Sequence, residues 1–271
     1  MKPAAVPSAL VAAMPRAIDA AWSPLAGLGG GSWLVQRPDG ADLVVRQTSE
    51  VAECATRAAA DAAVGPAVLA GAGGWMATEY LPGANVTGLE LSRPPILDAL
   101  AALLRRLHTC DVNLPAATLS DARREYVARV APERLPDGLL TAVGEANRME
   151  RSLASSSSLL VPAHLDVAAN LLLTPSGLRL IDFEYAAAAH PAREVGQVIW
   201  EAEIDRAGAQ RLVGAYGCET VVTHEMARAW AWVTGVTWTA WALAFHDNSV
   251  MERYGRRSWE RLRGYWGRPT V

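Results

Sequence analysis

Apolar and polar positions alternate over short runs in the first third of the chain, then switch to a helical period. Ser32–Arg37 (SWLVQR) and Asp42–Gln47 (DLVVRQ) predict two strands. Between them, Pro38-Asp39-Gly40 predicts a tight turn, because Pro presets φ and Gly admits positive φ. Ser49 reads as an N-cap, with Glu50 and Glu53 in the first helical turn. That helix is expected to run to about Val64 and to stop at Gly65-Pro66. Strand-like runs follow at Ala67–Ala70 and Trp75–Tyr80, and Leu81-Pro82-Gly83 reads as a hinge. Beyond it, Ile96, Leu97, Leu100, Leu103, Leu104 and Leu107 share one helical face behind Pro94-Pro95, ending near His108. A second amphipathic stretch begins near Asp121 and a third spans Leu139–Leu153, followed by a serine run at Ser155–Ser158 that predicts a loop. Met226–Asn248 is long, apolar and rich in tryptophan. No internal repeat is visible. The pattern predicts an α+β protein: a small β-rich lobe with one helix (residues 1–81), then a larger, mainly helical lobe (residues 82–271).

Composition narrows the possibilities. Of 271 residues, 51% are hydrophobic and 20% charged, which suits a globular core rather than a disordered chain. A net charge of −3 gives no basic excess for nucleic acid or for an anionic membrane surface. Lys2 is the only lysine, so any task usual for lysine falls to arginine. The three cysteines, Cys54, Cys110 and Cys218, have neither the number nor the spacing of a disulfide framework or a zinc site. No apolar run is long enough to span a bilayer, and prolines interrupt the N-terminal segment, so a cytoplasmic protein is expected.

Two stretches carry candidate chemistry. Gly27–Ser32 is a glycine-rich turn between strands, whose backbone N–H groups at Gly29, Gly30, Gly31 and Ser32 are free to approach a phosphate. Read alone, the same glycines make an ordinary flexible hairpin. Between Val161 and Glu201 lie His164-x-Asp166, Asn170, and an apolar run ending in Asp182-Phe183-Glu184. Two acids at the ends of a short hairpin with an amide between them suit phosphoryl transfer. One acid takes or orients a hydroxyl proton; the other holds Mg²⁺, with the amide as a further ligand. The plainer reading is a hairpin whose aspartates cap turns.

Together these residues resemble the aminoglycoside phosphotransferase and choline kinase superfamily, whose pattern is H-x-D-x₄-N followed by I-D-[WF]-E. The resemblance runs from about Pro24 to Gly264. It implies a protein-kinase-like bilobal fold and an enzyme using ATP and Mg²⁺. It assigns Asp166 as catalytic base, Asp182 as main metal ligand, Asn170 as second ligand, and His164 as a structural residue. Three residues separate Asp166 from Asn170 where the family has four, so either the loop is rebuilt locally or metal coordination changes. Arg46 stands where protein kinases place a phosphate-binding lysine, as in choline and ethanolamine kinases. Its expected partner is Glu53, with Asp61 as second choice. Glu79–Leu81 would face the adenine. Choline kinases also resemble this chain in a W-x-x-W pair (Trp238, Trp241), an aromatic after D-F-E (Tyr185) and a glutamate ending the next helix (Glu201). Those four suit an aromatic box around a quaternary ammonium, although tryptophans at helical spacing also pack cores, as expected of Trp200, Trp230 and Trp232. The expected activity is phosphorylation of a small cationic alcohol, choline first. Thiamine and aminoglycosides are the competing acceptors, and a non-catalytic nucleotide- or cation-binding module is the competing class. Arg256, Arg257, Arg261, Arg263 and Arg268 make the C-terminal end unfavourable to a polycation.

Overall fold

The computed structural model describes residues 6–14, 20–25, 31–38, 40–156, 158–217, 221–245 and 249–265. A short helix, α1 (Ser8–Ala13), precedes β1 (Ala21–Pro24), β2 (Ser32–Gln36) and β3 (Leu43–Gln47). Then come α2 (Glu50–Asp61), β4 (Val68–Ala72) and β5 (Trp75–Glu79). The five strands form one antiparallel sheet in the order β1-β2-β3-β5-β4. Its register sets Ser32 opposite Arg46 and Leu43 opposite Glu79. Asp39 lies outside the described residues, but Gly40 beside it has φ 76° and its N–H bonds Arg37 O at 3.0 Å, closing the predicted turn. Val35, Leu43, Val45, Trp75 and Ala77 pack with Leu10 on one face of the sheet.

Ser49 caps α2, its hydroxyl accepting from Ala52 N at 3.1 Å. The helix stops at Asp61, earlier than the pattern predicts. Ala63 turns to φ 53°, and the N–H groups of Val64 and Gly65 fold back onto Ala59 O. Gly65 also passes close to Phe183: a Cβ there would sit 3.1 Å from the ring. Leu180 N donates to Val64 O at 2.8 Å. The end of α2 is thereby joined to the D-F-E segment.

The rest of the chain is mainly helical. After β6 (Ala84–Asn85) and the one-turn α3 (Gly88–Leu91) come α4 (Pro94–His108), α5 (Ser120–Ala128) and α6 (Leu139–Ser156). Four short strands follow: β7 (Val161–Ala163), β8 (Leu171–Thr174), β9 (Gly177–Leu180) and β10 (Ala187–Ala189). The last helices are α7 (Pro191–Glu201), α8 (Arg206–Tyr216), α9 (His224–Ala244) and α10 (Ser249–Arg263). β8 and β9 form a hairpin with β6 along its edge, and β7 pairs with β10. The serine run is helical as far as Ser156, against the predicted loop; Ser155 bonds back to Ser152 O at 2.9 Å inside the turn. The tryptophan-rich segment forms α9, which ends at Ala244; Asn248 lies outside the described residues. Trp200, Trp230 and Trp232 are buried in the main core with Leu97, Leu100 and Leu104 of α4. α7 lies directly on α9: a Cβ at Gly196 would come 2.4 Å from Ala227 O and 2.6 Å from Trp230 Cβ. Among the described residues no helix is long and apolar enough to cross a membrane.

Candidate active site

The H-x-D loop leaves β7, and the β8–β9 hairpin carries the chain on to D-F-E. His164 is fully buried and joins the two ends. Its Nε2 lies 2.8 Å from Ile181 O, its Nδ1 accepts from Asp166 N at 3.2 Å, and its ring packs on Phe183 with centroids 4.6 Å apart. Burial holds its pKa below the ordinary imidazole value, so the ring is neutral, with the proton on Nε2 facing the carbonyl. Leu165 takes φ 61°, a left-handed backbone costly for a branched side chain. Glu194 of α7 secures it: the buried carboxylate accepts from His164 N and from Leu165 N at 2.8 Å, and meets His108 Nε2 at 2.6 Å. Burial pushes Glu194 up, but the bonds from His108 and Leu165 outweigh it, and the net shift is downward.

Asp166 follows. Burial raises its pKa to about 6, with the nearby Asp182 and Glu184 charges adding to the rise. The shortened loop turns Asn170 back onto this acid: its Nδ2 bonds Asp166 O at 2.9 Å and Oδ2 at 2.7 Å. Asn170 Nδ2 is thus committed to the base, and only its Oδ1 can face a metal. Asp182, at φ 64°, ends the hairpin. Arg46 reaches it from β3, with Nη2 2.6 Å from Oδ1, and stands 3.9 Å from Glu184 Oε2.

The expected Arg46–Glu53 pair does not form. Glu53 accepts instead from Arg57, one turn along α2, at 2.7 and 3.1 Å. Its carboxylate lies against β4, where a Cβ on Gly71 would come 2.2 Å from Oε1. The neighbour on its own helix is within easy reach, whereas Arg46 is drawn to the two acids of D-F-E. Gly31 is exposed at φ 79°, and Ser32 opens β2; Gly29 and Gly30 lie outside the described residues. At the end of β5, Glu79 N donates to Ala67 O and its side chain accepts from Ala67 N at 2.9 Å. Tyr80 N donates to Asp42 O, and Leu81 follows beyond the strand.

Beyond Asp166 the site is aromatic. Trp238 and Trp241 of α9 meet edge to face with centroids 5.6 Å apart, and Phe245 continues the row 5.2 Å from Trp241. Tyr185 is half exposed after D-F-E, its hydroxyl pushed up by burial and by Glu184 and Asp166. Glu201 ends α7. Its Oε1 accepts from Trp238 Nε1 and from Gln197 Nε2, each at 2.8 Å. Its Oε2 is buried without a hydrogen-bond partner; the Ala168 N–H faces the carboxylate without closing a bond of normal geometry. Burial, with Asp166 nearby, drives Glu201 up to about 8. The arginine-rich end is less bare than its composition implies: Arg256 pairs with Glu252, and Arg257 and Arg261 with Glu203. Arg268 lies outside the described residues.

The family model described as the phosphotransferase enzyme family matches residues 16–235. The chain belongs to this family. A thiamine kinase of Salmonella paratyphi B is 29% identical over 210 residues, covering 74% of this chain and 73% of that protein. A choline/ethanolamine kinase family protein from Mesorhizobium loti shares the fold with a TM-score of 0.77 and 23% identity, over 94% of this chain and 92% of that one. Choline kinase LicA from Streptococcus pneumoniae superposes with a TM-score of 0.73 and 16% identity, over 90% and 94%. A structure of LicA in complex with AMP superposes with a TM-score of 0.70.

In this phosphotransferase the oxygen donors near Arg46 suit a hard cation such as Mg²⁺, which takes one or two carboxylates and completes its shell with phosphate and water oxygens. Asp182 and Glu184 are the carboxylates beside Arg46 that could contribute to such a set. Among the described residues no group of three or more His, Cys, Asp or Glu converges into a full cage. Sequence reading missed Glu184 as a partner of Arg46, and Glu194 and Gln197 as supports of the loop. The spacing Glu194-x-x-Gln197-x-x-x-Glu201 sets three hydrogen-bonding side chains along a helix that also buries Arg193, a signal present in the sequence.

Proposed function

We propose that this phosphotransferase moves the γ-phosphate of ATP to the hydroxyl of a small alcohol carrying a quaternary nitrogen, of which choline is the simplest. The observation that carries the reading is the buried, unpartnered Oε2 of Glu201 beside Trp238, itself in contact with Trp241. With no donor on that oxygen the protonated carboxyl is favoured, and a cation beside it would favour the carboxylate. Aromatic faces suit methylated nitrogen, which offers no hydrogen bonds of its own. Asp166 lies close enough to Glu201 for its charge to help raise that carboxyl. A pKa of about 6 leaves it ionised at neutral pH yet more basic than a free carboxylate, as a base for the acceptor hydroxyl requires.

On the nucleotide side, the N–H groups of Gly31 and Ser32 cradle phosphate and Arg46 forks onto phosphate oxygens. The backbone between Glu79 and Leu81 receives the adenine. Asp182 would hold Mg²⁺, with Asn170 Oδ1 and Glu184 as further donors, and the bound ion would supply charge neutralisation at the phosphates. The relation to an AMP-bound LicA structure supports a nucleotide here. The thiamine kinase relatives favour thiamine as a second reading, since it too carries a quaternary nitrogen and a hydroxyethyl arm. Steady-state kinetics with choline, thiamine, ethanolamine and kanamycin test both. A quaternary alcohol should exceed ethanolamine at least tenfold in kcat/KM, ~1.4 kcal/mol of cation–π discrimination. Kanamycin as best substrate overturns the reading.

A further inference from the structure

We infer that Gln197 is a positioning residue that ties occupancy of the cation wall to the setting of the catalytic base. The inference rests on the acceptor reading above. The side-chain amide of Gln197 has two N–H hydrogens, and the structure gives its nitrogen two acceptors. One is Leu165 O, the carbonyl joined directly to Asp166 N; the other is Glu201 Oε1, at 2.8 Å. Gln197 is buried, so neither bond is shared with bulk water. Leu165 is held from its other side by Glu194, one turn earlier on α7. Two side chains of a single helix thus grip both polar groups of a residue in left-handed backbone, and that residue orients the peptide plane entering Asp166.

The geometry gives a direction to the coupling. Oε1 of Glu201 is held by Gln197 and Trp238, while Oε2 accepts no hydrogen bond of normal geometry. A cation set against Oε2 fixes the carboxylate, and the carboxylate fixes the amide that holds Leu165 O. Binding energy from the non-reacting end of the acceptor is then used to orient the base, which raises kcat rather than lowering KM alone. A neutral acceptor of the same shape would leave Glu201 unfixed.

The experiment compares choline with its uncharged carbon isostere, 3,3-dimethylbutan-1-ol, in wild type and in Gln197→Met, which keeps length and loses both donors. Wild type should show a clear kcat advantage for choline over the isostere. Gln197→Met should lower kcat for choline by about tenfold, leave KM for choline and MgATP within about twofold, and bring the choline-to-isostere kcat ratio close to one. The ratio is taken within one preparation, so partial loss of folded protein cancels. Gln197→Asn, which retains the donors on a shorter arm, should give an intermediate ratio and serves if the Met variant does not fold. An equal proportional fall for both alcohols makes Gln197 merely structural and overturns the inference. A change confined to KM, or no change, overturns it too. If wild type turns over choline without any advantage over the isostere, the coupling fails while the acceptor survives. If wild type uses no quaternary alcohol, the acceptor reading falls first and the coupling with it.

Discussion

Asp166 and Glu201 are both partly buried acids with raised pKa values, yet their surroundings set them different tasks. Asn170 donates two hydrogen bonds to Asp166, and an asparagine there would still accept one of them through its side-chain oxygen. Asp166→Asn therefore keeps the loop and loses the base. kcat should fall by about 10²–10⁴ while MgATP affinity, read by calorimetry, stays near wild type; unchanged turnover removes Asp166 from the mechanism. Glu201 yields a pH prediction. Its folded pKa of about 8 lies above the ordinary 4.5, so between those values the folded carboxyl keeps a proton that the unfolded one has lost. This contribution to stability is complete below about 4.5 and is lost as pH rises through about 8. Wild-type Tm should fall more steeply from pH 6 to 8.5 than that of Glu201→Gln, and KM for a quaternary acceptor should fall over the same range. Parallel Tm profiles would show that the carboxyl is ionised throughout.

At the scale of elements, α7 decides the site. It carries Glu194, Gln197 and Glu201 toward the loop and turns Gly196 against α9. The atoms that a Cβ at Gly196 would meet are Ala227 O, Trp230 Cβ and Ala231 N, all backbone or branch points that cannot swing aside. Gly196→Ala should therefore push α7 off α9. The expected cost is about 1–3 kcal/mol in chemical denaturation, an overpacking effect larger than the small gain in helix propensity. Because Trp238 is on α9 and Glu201 on α7, acceptor KM should rise while KM for ATP, whose proposed phosphate contact Arg46 is on the sheet, should hold. A variant as stable as wild type would mean that the two helices can separate freely.

For the whole molecule, the sheet and the helical part meet at D-F-E. Arg46 pairs with Asp182, Gly65 lies on Phe183, and Val64 O accepts from Leu180 N. A nucleotide at this junction bears on both parts, so binding should stabilise the fold as a unit. Saturating MgATP at about 100 times its Kd adds ~2.7 kcal/mol and should raise Tm by several degrees. Asp182→Ala should remove most of the MgATP-dependent rise. If the mutant shows the full shift, Asp182 does not hold the metal.

Local features were legible in the residues alone. Ser49 with two acids behind it marked the start of α2, the spacing from Ile96 to Leu107 marked α4, and His164-x-Asp166 with D-F-E marked the two ends of the β8–β9 hairpin. Each depends on interactions within a few positions, where propensity and side-chain period act directly. The partner of Arg46 did not. Glu53 was nearest in sequence, but the pairing was settled by an acid 136 positions away, brought close by the packing of the sheet on the hairpin. The same holds for the direction of Asn170 and the raised pKa of Glu201. An amide turns toward whatever acceptor the folded loop presents, and a carboxyl loses its charge only when neighbours from other helices exclude water from it. The types of candidate group were thus written in the chain, while their partners and protonation came from tertiary structure, because burial and long-range contact exist only once the chain is folded.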